Sequence, residues 1–201
     1  MSAAARRHFA RVAGDYTAFR ARWPLGALRE EEERAVRGLL DVAPGARALD
    51  IGCGDGTTAA WLRERGARVI GVDAVWEMAA LTRRRGVPAV VQDMEALGIR
   101  PRFDWVLCIG ALEFTRSPGA AIAALAACLA PGGRLVLLFP RRSLLARAYA
   151  AYHRANGLAI HLFDRDGMAA HLHAAGLVVD DAWRDCLLSS VCRARRRAEP
   201  A

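Results

Sequence analysis

Three glycines at alternate positions, Gly52, Gly54 and Gly56, follow the apolar run Ala48-Leu49-Asp50-Ile51 and precede Thr57-Thr58-Ala59-Ala60. Glycine accepts positive φ and lets a backbone approach a ligand closely, so a strand–loop–helix turn of this kind suits binding by main-chain groups. A dinucleotide loop would carry its third glycine where Thr57 stands. Asp50 directly precedes the loop. A carboxylate there repels phosphate and competes for the loop N–H groups, but it favours a ligand with a positive amino group. Asp73 ends the next apolar run and Asp93 the one after. A carboxylate at the second of these positions can accept both hydroxyls of a ribose. Three acids at the carboxyl ends of three successive strands outline a pocket at a sheet's C-terminal edge. The ligand that fits has ribose hydroxyls, a donor-bearing base and no phosphate.

Such residues need an alternating scaffold to position them. Residues 46–51, 88–93, 103–110 and 134–139 read as short buried strands, with another run ending at Asp73. Residues 57–66, 74–86 and 117–130 read as helices, stopped by Gly66, Gly86 and the Pro131-Gly132-Gly133 turn. Continuous apolar runs without strict alternation indicate strands covered on both faces, hence a parallel sheet between helical layers. Residues 164–175 read as a helix with Asp164 as N-cap and Gly176 closing it. The runs 177–183 and 187–194 are joined by too short a linker for a parallel crossover, so an antiparallel hairpin is expected. The first 45 residues read as two helices around Trp23-Pro24. The expected class is α/β, a Rossmann-like three-layer sandwich. Its expected parts are an N-terminal helical extension or lid (1–44), a ligand-binding domain (45–192) with a lid insertion (141–163), and a disordered basic tail (193–201).

Composition excludes several classes. The 201 residues are 54% hydrophobic and 25% charged, a globular balance that argues against disorder or a fibre. The five cysteines are odd in number and form no CxxC pair, which removes a zinc ribbon and disfavours a secreted disulfide scaffold. All 29 basic side chains are arginine against 21 acids, a net charge of +8 with the excess concentrated in residues 1–40 and 193–201. That placement reads as solvated charge, and no nucleic-acid partner is expected. No signal peptide and no run long enough to span a membrane is present, so a cytoplasmic protein is expected.

The segments LDIGCGDG (49–56), GVD (71–73), QDM (92–94), FDWVLCIGALEF (103–114) and LAPGGRLVLLFP (129–140) together resemble the motif series of class I S-adenosylmethionine-dependent methyltransferases of the small-molecule type. S-adenosylmethionine has the ligand inventory just described, with a sulfonium cation added. The resemblance covers about residues 45–192 and implies seven strands, six parallel and the last antiparallel. It implies that Asp50, Gly52, Cys53, Gly54 and Gly56 line the methionine end of the cofactor and that Asp73 binds the ribose, with Ala74 and Val75 beside the adenine. It further implies that Asp93 accepts from the adenine amino group, Met94 packs on the base, and Ile109 and Gly110 face the sulfonium. Tyr16 resembles a tyrosine that closes over the cofactor. Many relatives have a histidine where this chain has Phe114, so no catalytic role is expected there.

Methyl transfer needs alignment and water exclusion, and a base only where the nucleophile holds a proton. Within the insertion, Tyr149 and Tyr152 are candidate acceptor contacts, and His153 and His161 are candidate bases. Arg22 and Trp23 are candidates for recognising an anionic acceptor. No metal is expected, because no histidine joins a cysteine or acid at ligand spacing. Arg141, Arg142, Arg147 and Arg154 allow a basic helix lying on a membrane or a lipid-like substrate, but a solvated lid face is the preferred reading. The expected activity is methyl transfer to an O, N or C atom of a small molecule by a monomer or homodimer. The alternatives are RNA or protein methylation, a nicotinamide-dependent reductase, disfavoured by Thr57 and Asp50, and a non-catalytic cofactor- or partner-binding subunit.

Overall fold

The computed structural model describes residues 1–21, 25–99 and 102–196. Seven strands form one sheet in the order β3-β2-β1-β4-β5-β7-β6. They are β1 (Arg47–Ile51), β2 (Arg68–Asp73), β3 (Ala89–Val91), β4 (Phe103–Ile109), β5 (Leu129–Pro140), β6 (Leu177–Asp185) and β7 (Ser189–Arg196). The β1–β2, β1–β4, β2–β3 and β4–β5 pairs are parallel, and β7 runs antiparallel to both β5 and β6. The expected hairpin at the end of the chain is therefore present. A reversed last strand follows from a three-residue turn, which cannot carry the chain back along the sheet.

Eight helices are described: α1 (Ala3–Val12), α2 (Tyr16–Ala21), α3 (Leu25–Arg37), α4 (Thr57–Glu64), α5 (Trp76–Arg84), α6 (Pro118–Ala127), α7 (Leu144–Ala155) and α8 (Arg165–Ala174). The strands are apolar on both faces because each face has its own core. Leu49, Ile51, Val106, Cys108, Leu135 and Leu137 pack with α6 and α8 residues such as Ile122, Leu125, Met168 and Leu172. Ala48, Leu107, Val136 and Leu138 pack on the other face with Val36 of α3 and Ala59 and Leu62 of α4. Adjacent residues of a strand point to opposite faces, which divides each run between two cores. Asp164 caps α8 as expected, its carboxylate accepting the Gly167 N–H at 2.8 Å.

Two expectations need correction. The N-terminal extension contains three described helices instead of two, with a 3₁₀ turn at Ala13–Asp15 separating α1 from α2. The supposed tail is sheet as far as Arg196. Arg193 and Arg195 stand on one side of β7 and both reach Asp180, at 2.9 and 3.1 Å, while Arg196 donates to the Ala126 carbonyl. Arg193 and Arg195 are thus strand residues whose charge a single β6 acid collects.

Candidate active site

The glycine loop leaves β1 with Gly52, Gly54 and Gly56 all at positive φ, +69°, +54° and +76°. Space excludes a side chain as firmly as the torsion does. A β-carbon at Gly52 would lie 2.3 Å from Cβ of Ala111, and one at Gly56 would lie 2.8 Å from Cα of Thr82. The loop is held from beneath. Gly52 and Cys53 both donate N–H to the Val72 carbonyl, and the Thr82 hydroxyl donates to the Gly54 carbonyl at 3.0 Å. The Cys53 thiol lies under the loop, 3.2 Å from the Thr82 hydroxyl. Burial pushes its ionisation well above the ordinary thiol range. Cys53 therefore contributes loop packing, with its side chain turned from the open side.

Asp50 is buried in β1. Its Oδ2 has no hydrogen-bond partner among the described residues. Burial, reinforced by the neighbouring carboxylates of Asp73 and Asp55, pushes its carboxyl up to about 7. A buried carboxylate with an unused oxygen costs free energy until a cation or donor meets it. Asp73, at the end of β2, accepts the Gly54 N–H at 3.0 Å and the Val75 N–H at 2.9 Å. These bonds fix its carboxylate toward the loop and leave lone-pair capacity for further donors. Burial raises its ionisation too, against the pull of those N–H groups. Both acids fit the amino and ribose ends of an adenosyl amino acid.

The end where the resemblance would place the adenine is narrow. Asp93 follows β3 and caps the 3₁₀ turn Met94–Ala96. Its Oδ2 is engaged by Arg6 at 2.6 Å and by the Met1 ammonium at 2.8 Å. Burial opposes ionisation of Asp93, but the ammonium, the Glu95 N–H and Arg6 outweigh it and hold the carboxyl below its ordinary range. The crevice bounded by Gly52, Ala74, Asp93, Met94, Ala111 and Phe114 measures only about 10 Å³. Helix α1 reaches this end through Arg6. Val75 is buried against Ala13 and Met78, beneath the N-terminal helices.

A second cavity, of about 730 Å³, opens beyond the end of β4, within the range that holds drug-sized ligands. Ile109, Gly110 and Glu113 lie on one wall, Phe9 and Tyr16 on another, and Tyr149, Tyr152 and His153 of α7 on a third. Tyr16 connects the two sites, since its ring also stands 3.7 Å from the β-carbon position of Gly54. The rings meet edge to face: Phe9 with Phe114 at 4.9 Å, Phe114 with His153 at 5.5 Å, and Tyr149 with His153 at 4.4 Å. This aromatic wall ties the N-terminal helices to α7.

His153 is buried, and its Nδ1 has no hydrogen-bond partner among the described residues. Burial, with the nearby His8, pulls its imidazole down to about 4, so the ring is neutral at physiological pH. His161 is placed differently. It is exposed, does not line the cavity, and presents Nε2 to the Thr115 carbonyl at 3.0 Å, which requires that nitrogen to carry hydrogen. Arg22 and Trp23 lie outside the described residues.

Among the cavity residues that escaped the sequence reading are His8 and Glu113. His8 lines the cavity, and burial followed by Arg11 lowers its pKa. Glu113 is 3% exposed on the cavity floor beside Gly110. The acid one place before Phe114 was the available signal for it. Among the described residues no group of three histidine, cysteine or acidic side chains can hold a metal ion, and no helix is long and apolar enough to cross a membrane.

A family model described as a methyltransferase domain matches residues 27–182, more than half of the chain. The chain belongs to the methyltransferase-domain family. The ubiquinone biosynthesis O-methyltransferase of Xanthomonas oryzae pv. oryzae is 36% identical over 135 residues, which is 63% of this chain and 56% of that protein. The chain thus spans little more than half the length of the curated relatives it matches. Among solved structures, the magnesium protoporphyrin IX methyltransferase of Synechocystis PCC 6803, crystallised with S-adenosylhomocysteine, superposes with a TM-score of 0.79 at 20% identity over 96% of this chain and 98% of the other. The 1,6-didemethyltoxoflavin N1-methyltransferase of Burkholderia thailandensis gives 0.73 at 24% identity over 98% and 88%. At these identities the family shares its fold with the chain, and function must be argued from the site.

Proposed function

We propose that this protein transfers a methyl group from S-adenosylmethionine to an O, N or C atom of a small-molecule acceptor. The observation that carries this reading is Asp50. A buried acid with an unused oxygen beside the glycine loop asks for a cationic donor. Its neighbour Asp73 stands where ribose hydroxyls would donate, and the large aromatic cavity adjoins both through Tyr16 and Gly110. Asp93 with Met94 would meet the adenine once α1 shifts. The relatives named for ubiquinone biosynthesis, magnesium protoporphyrin IX and 1,6-didemethyltoxoflavin support a small-molecule acceptor.

When bound, S-adenosylmethionine supplies a methyl carbon activated by a positive sulfur. The chain's own tasks are then to align the acceptor, exclude water and take the proton the nucleophile gives up. The rings of Phe9, Phe114 and Tyr149 hold the acceptor against the Gly110 end of the cavity, with Tyr152 at the rim. His153, neutral at physiological pH, is one group placed to accept that proton, and the burial that lowers its pKa to about 4 makes it a weak base. Glu113, beside Gly110, is the second group placed to do so. Methylation of RNA through a basic tail has less support, because Arg193, Arg195 and Arg196 are tied to Asp180 and to a carbonyl.

Calorimetry with S-adenosylhomocysteine tests the cofactor assignment. Asp73→Ala is expected to lose at least roughly tenfold in affinity, the scale of a charge-assisted hydrogen bond, while remaining folded. Equal affinity would remove the ribose assignment, and no binding to the folded wild type would end the reading. Turnover by His153→Ala and Glu113→Gln, followed by methyl-labelled cofactor across pH, then separates the two proton acceptors.

A further inference from the structure

Asp55 is the one charged residue within the glycine loop, and it is only 5% exposed. Two elements of the core hold it. Its Oδ1 accepts the Thr57 hydroxyl at 3.0 Å and the Thr57 N–H at 3.3 Å, in the first turn of α4. Its main-chain carbonyl accepts Nε–H of Arg85 at 2.6 Å, at the end of α5, and Nη2 of the same arginine stands 3.6 Å from Oδ2. The carboxylate is thus fixed from the side of the sheet. Its Oδ2 then accepts the hydroxyl of Thr17 in α2 at 3.0 Å.

Thr17 is exposed, so its side chain buries little apolar surface, and the bond to Asp55 is what it contributes. The residue before it is Tyr16, whose ring stands 3.7 Å from the β-carbon position of Gly54 and also lines the large cavity. Ala13 and Tyr16 pack with Val75 and Met78 around the start of α5. Apolar packing attracts without fixing a direction, whereas a hydroxyl–carboxylate bond fixes both distance and angle. The bond therefore decides where Tyr16 stands along the loop. Gly54, next to Asp55, donates its N–H to Asp73, so this anchor lies one residue from the acid proposed for the ribose.

We propose that the Thr17–Asp55 bond is a latch that clasps the N-terminal helices to the glycine loop and sets Tyr16 as the partition between the loop and the large cavity. Thr17 is a positioning residue that acts through Tyr16. A ligand held on the loop leaves when this bond opens, so the latch sets its residence time. That this ligand is S-adenosylmethionine rests on the function proposed above; the latch itself is read without it.

The test is limited digestion of the full chain with trypsin, which cuts here only after arginine because the chain has no lysine. Arg11 is exposed on α1, and the helix must open before it is cut. Without ligand, Thr17→Val should speed cutting at Arg11 about fivefold, the scale of a partly exposed charge-assisted bond. Arg84, exposed on α5, should keep its wild-type rate, and Thr17→Ser should restore both. S-adenosylhomocysteine should leave Thr17→Val about fivefold faster than wild type in stopped flow, with no slower association. In an Asp55→Ala background, Thr17→Val should change neither rate further. Equal cutting at Arg11 in wild type and Thr17→Val overturns the latch. So does faster cutting at Arg11 and Arg84 alike, which marks a general loss of stability, and so does failure of serine to restore the rate. Unchanged dissociation from a chain cut faster at Arg11 overturns the control of residence time. A folded wild type that binds no S-adenosylhomocysteine overturns the methyl-transfer reading instead, and the ligand-free digestion still decides the latch.

Discussion

Replacing Asp50 by asparagine keeps the shape of the side chain but removes the buried charge. A rise from 3.8 to about 7 means that ionising this carboxyl inside the folded protein costs roughly 4 kcal/mol, at about 1.36 kcal/mol per pH unit. The sign follows from proton counting. Between pH 4 and 7 the native chain keeps a proton on Asp50 that the unfolded chain has released, so native stability falls as pH rises through that window and levels off above it. Asparagine holds no such proton in either state. Asp50→Asn should therefore match the wild type near pH 4 and exceed it by up to roughly 4 kcal/mol near pH 8, in urea denaturation without ligand. The gain should reverse on binding. The ammonium of S-adenosylhomocysteine would meet a neutral amide, and loss of a charge-assisted bond of about 1.5–3 kcal/mol predicts affinity roughly ten- to hundredfold weaker. Near pH 6, wild-type binding should also release a proton, visible as buffer-dependent heat that the variant lacks. Parallel stability curves for the two proteins, or equal affinities, would refute the assignment of Asp50 as the cation-seeking group.

Gly52→Ala should lose at least about 2 kcal/mol in denaturant and most cofactor affinity, because torsional strain and the 2.3 Å approach to Ala111 act together. Gly132→Ala has a similar positive φ with nothing within 4 Å, so the difference between the variants reports the clash alone. Arg6→Ala should speed association of S-adenosylhomocysteine up to about fivefold by loosening α1 over Asp93, the scale of an exposed ion pair. Equal rates by stopped-flow would show that α1 does not gate the adenine end. All five cysteines are buried, and burial pushes Cys186 up to about 11 and Cys192 up to about 12. A thiol reagent at neutral pH should label the native chain only on the timescale of unfolding, whereas fast labelling of any one would contradict its placement.

The parts of the fold legible in the sequence are those set by short-range pattern. Strands such as Leu135–Phe139 are continuous apolar runs because both faces are covered, and Asp164 announces a helix three residues before the N–H it accepts. The glycine loop was legible for the same reason, since positive φ and close approach leave few alternatives to glycine. What escaped depends on docking between distant segments. Nothing local tells that Arg6 reaches Asp93, 87 residues away, or that His8 comes near His153. The fate of Arg193 and Arg195 was accessible: they alternate around the buried Ala194 with a strand's period, and the arginine run hid that alternation.

The same division explains why the end proposed for the cofactor is easier to read than the end proposed for the acceptor. Asp50, Gly52 and Asp73 are held by contiguous strand–loop–helix geometry, so their roles follow from position along a single sheet edge. The cavity proposed for the acceptor takes its walls from α1, α2, α3, α4, the ends of β4 and β5, α7 and the β6–β7 turn, segments whose shared feature is where they dock. Its residue types still carry information once they are assembled. Edge-to-face rings from three segments make a wall that favours a flat acceptor, and His153 and Glu113 are the proton acceptors beside it. An acceptor that binds without a ring, or a reaction whose rate ignores His153 and Glu113 alike, would mean that this wall serves only to close the protein over its cofactor.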